Sequence, residues 1–352
     1  MARVYLDWNA TAPLRPEARA AMLAAMDVVG NPSSVHSEGR AAKAVIEKAR
    51  RQVATAFGAE GADVIFTSGA TEAAALALAG RDLACAGIEH DAVAAWCTQS
   101  LSVDAMGRVS VPDPGRATLQ AANSETGVIQ ALPDGLAVTD ATQAFGKIPF
   151  AFNWSGAAMA LISAHKLGGP KGVGALVVRR GTEVHARILG GGQEMGRRSG
   201  TENLIGIAGF GAAAEAAARD LDGGIWADVS ELRNILEKSI AESANKTIFV
   251  GKDANRLPNT SCFITPGWKG ETQVMVMDLA GFAISAGSAC SSGKVKASHT
   301  LKALGFDDVA ASSAIRVSLG PTTTQDDVLR FVDAWTREER KFRNRRQSAA
   351  RV

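Results

Sequence analysis

Few features of this chain commit it to a membrane, a metal or a nucleic acid. No apolar run reaches the ~20 residues needed to cross a bilayer, so a membrane protein is not expected. The opening segment, Met1-Ala2-Arg3-Val4-Tyr5-Leu6-Asp7, has no apolar signal core. The expected location is therefore the cytoplasm, with thiols reduced. Only four cysteines occur in 352 residues. Cys85, Cys97, Cys262 and Cys290 form no Cys-x-x-Cys pair, which argues against structural zinc. His90 has no second histidine at ligand spacing, and no metal is expected there. Net charge is only +2, too little to build a field for nucleic acid, and no direct nucleic-acid binding is expected. Basic residues do gather at 337–351, where they read as a solvated helix end and a frayed tail. Repeats and low-complexity stretches are absent.

What is present suits an α/β protein of two domains. Apolar residues make up 46% of the chain, enough for a sizeable core. Strand patterns at 63–67, 82–85, 117–122, 136–139, 158–162 and 174–179 alternate with helical ones at 16–26, 40–57 and 73–79, which predicts a largely parallel sheet. Helices are expected at 204–221 and 227–243. A smaller part follows, with strands near 247–250, 261–265 and 314–319 and helices near 273–279, 298–304 and 325–341.

The most informative residue is Lys166. The apolar run 157–162 ends at Ser163-Ala164-His165-Lys166-Leu167-Gly168-Gly169-Pro170, which reads as a buried strand delivering one lysine onto a tight turn. Partial desolvation lowers a lysine pKa, and its neutral amine can then attack a carbonyl. A pyridoxal phosphate (PLP) site requires such a lysine.

Other constellations fit the same chemistry. Ser68-Gly69-Ala70-Thr71-Glu72 lies between a strand and a helix, where free N–H groups and the helix dipole favour a phosphate. Asp140 ends a buried strand and could hold a pyridinium nitrogen protonated, or simply cap a helix. His90, after another short strand, could lie over a cofactor ring or cap a loop. Arg316 alternates into a buried strand and needs an anionic partner, either a substrate carboxylate or an internal carboxylate. Cys290 sits among small and polar residues, which suggests an accessible and reactive thiol. Cys85, Cys97 and Cys262 have apolar or strand-like surroundings and read as core.

In combination these residues resemble the NifS/IscS-type cysteine desulfurases, fold-type-I PLP enzymes of the class V aminotransferase family. The resemblance runs in order through 5–7, 31–36, 68–72, 89–90, 125–130, 140–146, 163–174, 190–203, 287–290 and 315–320. It implies a PLP-dependent transferase fold, with a mostly parallel seven-stranded sheet in a large domain at 15–228. A smaller α+β domain would comprise 1–14 and 229–340, and a basic tail 341–352.

The resemblance also implies roles. Lys166 would form the internal aldimine and move the substrate α-proton. Asp140 would pair with the pyridine nitrogen, Gln143 would hydrogen-bond the phenolic oxygen, and His90 would stack on the ring. Ala70, Thr71, Ser163 and His165 would hold the phosphate, and Thr201 would reach the phosphate of a neighbouring subunit in a homodimer. Arg316 would bind the carboxylate of L-cysteine. Cys290 would take the sulfur as a persulfide, leaving L-alanine, for transfer to an acceptor such as an iron–sulfur scaffold. Ser124 stands where the family has an asparagine contacting cofactor or substrate, and Met195 where an arginine is common. A selenocysteine lyase, another class V lyase or aminotransferase, and an inactive sulfur-transfer scaffold are the alternatives.

Overall fold

A computed structural model describes residues 3–287 and 297–349; Cys290 lies outside them. Its centre is a five-stranded sheet in the order Asp63–Thr67, Gly174–Val178, Met159–Ser163, Val138–Asp140 and Thr118–Gln120. Ala84–Ala86 pairs in parallel with Thr98–Leu101. A parallel bridge from Ala84 to Ala117 joins that pair to the Thr118–Gln120 edge. Seven strands therefore line up, and only Gly174–Val178 runs against both of its neighbours. All five residues of Met159–Ser163 are buried. A central strand covered on both faces needs that unbroken apolar run.

Helices cover the sheet. Pro16 opens Pro16–Met26, where its missing N–H costs nothing. Ser37–Ala56 is capped by His36, whose ring accepts from Gly39 N. Both pack on the Ala-rich helix Leu204–Asp222. Small residues allow close approach: a Cβ on Gly211 would lie 2.6 Å from Ala49 Cα.

A second, antiparallel sheet runs Ser285–Ala286, Ala314–Ser318, Thr260–Ile264 and Ile248–Phe249. Its own core includes Phe263, Trp268, Phe331 and Trp335. Buried Trp335 keeps its polar end satisfied by donating Nε1–H to Gln273 Oε1 at 3.0 Å. The last helix, expected to end near 341, continues as Gln325–Ala349. Phe342 stacks on Trp268 at 5.5 Å, and Arg346 donates to Pro266 O at 2.9 Å. The basic segment through Arg346 is thus docked helix rather than frayed tail. One aromatic anchor in a polar run carries little hydrophobic signal.

The N-terminal strand ties the two sheets together. Val4–Tyr5 pairs with Phe282–Ala283, and Asp7 bridges Ser318. Further on, Ala12 N donates to His165 O and Arg15 N to Gly168 O, both at 2.8 Å.

Candidate active site

The lysine turn forms as its residues dictate. The Met159–Ser163 strand ends in the single helical turn Ala164–Lys166. Gly169 N then donates back to Ala164 O at 2.9 Å. Gly168 adopts φ +89°, a conformation that a side chain would resist. Lys166 Nζ points into a cavity of about 600 Å³ and donates to Asn9 O at 2.7 Å and Ala10 O at 2.8 Å. That volume suits a small-molecule site, typically about 300–1,000 Å³.

Ten of the residues singled out from the sequence line this one cavity: Ala70, Thr71, His90, Ser124, Asp140, Gln143, Ser163, His165, Lys166 and Arg316. Thr201 does not line it and is exposed, just before the Leu204–Asp222 helix. Cys85 and Cys262 are fully buried as expected, whereas Cys97 is only partly buried.

One end of the cavity suits a phosphate. The Ala70–Leu78 helix begins there, at Gly69, with no side chain capping its first N–H groups. It starts three residues earlier than expected, which puts Ala70 and Thr71 in its first turn. Ser163, His165 and Lys171 face the same space. Gly174 makes the approach possible, because a Cβ there would lie 2.8 Å from Gly69 Cα. Burial, then the charges of Lys166, Lys171 and Lys147, push the His165 pKa down to about 4. An anion bound here would offset that crowding of positive charge.

One carboxylate, Asp140, lines the cavity. Asp140 Oδ1 accepts from Thr142 N at 2.9 Å. Behind it Glu89, 1% exposed, accepts from Gln120 N at 2.7 Å. Burial, reinforced by Asp140, raises the Glu89 pKa well above the usual range. His90 Nδ1 accepts from Ala92 N at 3.1 Å, which leaves the proton of a neutral ring on Nε2.

The remaining wall carries an arginine with capacity to spare. Arg316 donates to Asp7 Oδ1 at 2.8 Å, Ser124 O at 3.0 Å and Ser285 Oγ at 3.2 Å. Its buried Nε has no hydrogen-bond partner among the described residues. Ser285 pairs with Arg316 across the sheet, so the chain leading toward Cys290 leaves that sheet beside the arginine. Asn123 cannot replace the asparagine missing at 124. Its Nδ2 donates to Ile88 O, and its Oδ1 accepts from Glu125 N and Thr126 N.

These groups match PLP: a helix N-terminus for the phosphate, a carboxylate for the ring nitrogen, an amide for the phenolic oxygen and a lysine for the aldehyde. A family model described as aminotransferase class-V matches residues 4–98 and 98–331. The chain belongs to that family. Among class-V relatives, a cysteine desulfurase of Cereibacter sphaeroides is 39% identical and covers 95% of both chains. The cysteine desulfurase IscS of Dictyoglomus turgidum is 37% identical, covering 97% of this chain and 95% of its own. The solved structure of a NifS-like protein from Rickettsia africae superposes with a TM-score of 0.86 at 31% identity, over 95% of this chain and 98% of that one.

The sequence left several residues of this class-V site without a role. Asn9 arrives from the far N-terminus, where no local pattern announces it, and Asp7 lay in a matched segment but was given no role. Lys147 looks like any lysine after a glycine, yet it is 3% exposed. Glu89 was visible only as a neighbour of His90.

Proposed function

We propose that the protein is a PLP-dependent cysteine desulfurase, converting L-cysteine to L-alanine and passing the sulfur on through Cys290. The convergence of Lys166, Asp140, Gln143 and Arg316 on one cavity, beside a free helix N-terminus, carries this reading. PLP, when bound, supplies the electron sink that labilises the bond at the substrate α-carbon.

The chain's own residues would divide the remaining work. Lys166 holds the cofactor covalently and then moves the α-proton. Asp140 keeps the ring nitrogen protonated, with Gln143 donating to the phenolic oxygen and His90 covering the ring. Ala70, Thr71, Ser163 and His165 hold the phosphate. The Arg316 guanidinium, which lines the cavity, takes the substrate carboxylate, with Ser124 beside it. The Cys290 thiolate attacks the substrate sulfur. The new S–S bond forms as the carbon–sulfur bond breaks, leaving the persulfide on Cys290 and the three-carbon product to be protonated to alanine.

The same reading divides the chain into a large domain at 15–228 and a smaller one at 1–14 and 229–340, with 341–352 following. A homodimer is part of it. Exposed Thr201 would meet the phosphate of the second subunit, and Val35 and Met195 are exposed apolar side chains. A cytoplasmic enzyme delivering sulfur to an iron–sulfur scaffold completes the proposal. No helix among the described residues is long and apolar enough to cross a membrane. The deciding experiment measures sulfide and alanine released from L-cysteine by PLP-loaded protein in the presence of excess thiol reductant, which supplies the two electrons that free the persulfide sulfur as sulfide. Equal amounts of both are expected. Keto-acid formation without sulfide would instead indicate an aminotransferase.

A further inference from the structure

The most deeply buried cation beside the cavity is one that the proposed chemistry does not use. Lys147 is 3% exposed and does not line the cavity. Its Nζ donates to Gln143 Oε1 at 2.5 Å and to Asn9 Oδ1 at 3.0 Å. On the far side of the same amide, Gln143 Nε2 donates to Asn9 O at 3.0 Å. We propose that Lys147 is a positioning residue for the cofactor: it clamps the Gln143 carboxamide so that its nitrogen, not its oxygen, faces the cavity.

Donor and acceptor chemistry carries the argument. A lysine amine offers its protons to an acceptor, so the Gln143 atom beside it must be the oxygen. The Asn9 carbonyl can only accept, so the atom beside it must be the nitrogen. Each contact enforces the other. An amide nitrogen bears two hydrogens. Asn9 O takes one, and the second remains for a ligand in the cavity that Gln143 lines. Burial, and the neighbouring charges of Lys166 and Arg316, depress the Lys147 pKa well below its usual value. The clamp reaches Lys166 as well, because the Asn9 carbonyl that it steadies accepts from Lys166 Nζ.

This inference rests on PLP being the ligand, and the test separates the two claims. Lys147→Met, Gln143→Leu and the double variant are loaded with PLP, and the visible absorption of the bound cofactor is titrated with pH. A donor on the phenolic oxygen favours the deprotonated form, so losing it raises the midpoint. Gln143→Leu should raise it, and Lys147→Met should raise it in the same direction by roughly half a unit to one unit. The double variant should shift no further than Gln143→Leu, because both changes remove one donor. Lost stability alone would lower the melting temperature without moving the midpoint. If Lys147→Met does not accumulate as folded protein, Lys147→Gln keeps a polar group there and should shift less in the same direction. A wild-type midpoint in the folded Lys147 variant, or shifts that add fully in the double variant, would overturn the proposal. Wild-type protein with no visible band would overturn the PLP reading itself, and this inference with it.

Discussion

Arg316 and Asp7 form a nearly buried ion pair, Nη2 to Oδ1 at 2.8 Å, across 309 positions of sequence. The pair explains how a cavity-lining arginine is tolerated inside the protein. Asp7 neutralises the guanidinium, whose side chain lines the cavity. Removing Asp7 strands a buried charge, which costs about 3 kcal/mol. Asp7→Ala should therefore lower the urea midpoint strongly, and adding Arg316→Met should recover part of the loss. A double variant no more stable than Asp7→Ala would refute the pairing argument.

Replacing Arg316 by lysine keeps the charge but loses the planar fork. The KM for L-cysteine should rise about tenfold or more, the equivalent of ~1.4 kcal/mol, while the cofactor spectrum stays unchanged. An unaltered KM would remove Arg316 from the substrate site.

Lys166→Ala should lose covalent cofactor. After borohydride reduction of wild-type protein, mass spectrometry should find PLP on the peptide containing Lys166. Finding it on Lys147 or Lys171 would reassign the nucleophile.

A half-buried histidine and a buried glutamate give stability opposite dependences on pH. His165 has a folded pKa of about 4 against an ordinary 6.5. Between those values the unfolded chain binds more protons, so cofactor-free protein loses stability as pH falls through that window. The Glu89 pKa is raised instead. The folded state then binds more protons, and stability falls as pH rises above the ordinary carboxylate range. His165→Gln should flatten the acid side of the stability profile, and Glu89→Gln should stabilise the protein increasingly toward alkaline pH. Denaturant midpoints at pH 4.5, 6.5 and 8.5 (chosen to bracket about 4–7, where such groups titrate) would show either variant tracking wild type if these assignments are wrong.

Cys290→Ser should retain cofactor binding yet lose sulfide release by orders of magnitude, and wild-type protein exposed to L-cysteine should gain one sulfur on that peptide. Cys262 is fully buried in a strand, so Cys262→Ser should cost stability rather than turnover. Undiminished sulfide release from Cys290→Ser would end the persulfide mechanism.

How much the sequence reveals depends on how local the signal is. Lys166, Asp140 and Thr71 announce themselves because a strand end and its following turn are contiguous in the chain. The central strands were placed within a few residues for the same reason: unbroken apolar runs such as Ala160-Leu161-Ile162 leave little alternative. Short edge pieces such as Thr98–Leu101, exposed at three of four positions, carry no such pattern. Asn9 and Lys147 were not assigned roles because their importance lies in each other, and hydrogen bonds between distant residues leave no periodicity. The family resemblance supplied what spacing could not, the interest of Gln143, which lines the cavity.

The N-terminal strand has a consequence for how the molecule is made. Val4–Tyr5 pairs with Phe282–Ala283, and Asp7 bridges Ser318 and forms an ion pair with Arg316. During synthesis the first segment of the chain must wait until most of the remainder has left the ribosome. The central sheet, whose strands all precede residue 180, can assemble earlier, whereas Asn9 cannot be seated above Lys166 until the chain end returns. Contacts of such sequence separation are the slow ones to form. The cavity lined by Lys166 is therefore finished last, and a nascent chain with a complete central sheet would still lack Asn9, which accepts from both Lys147 and Lys166.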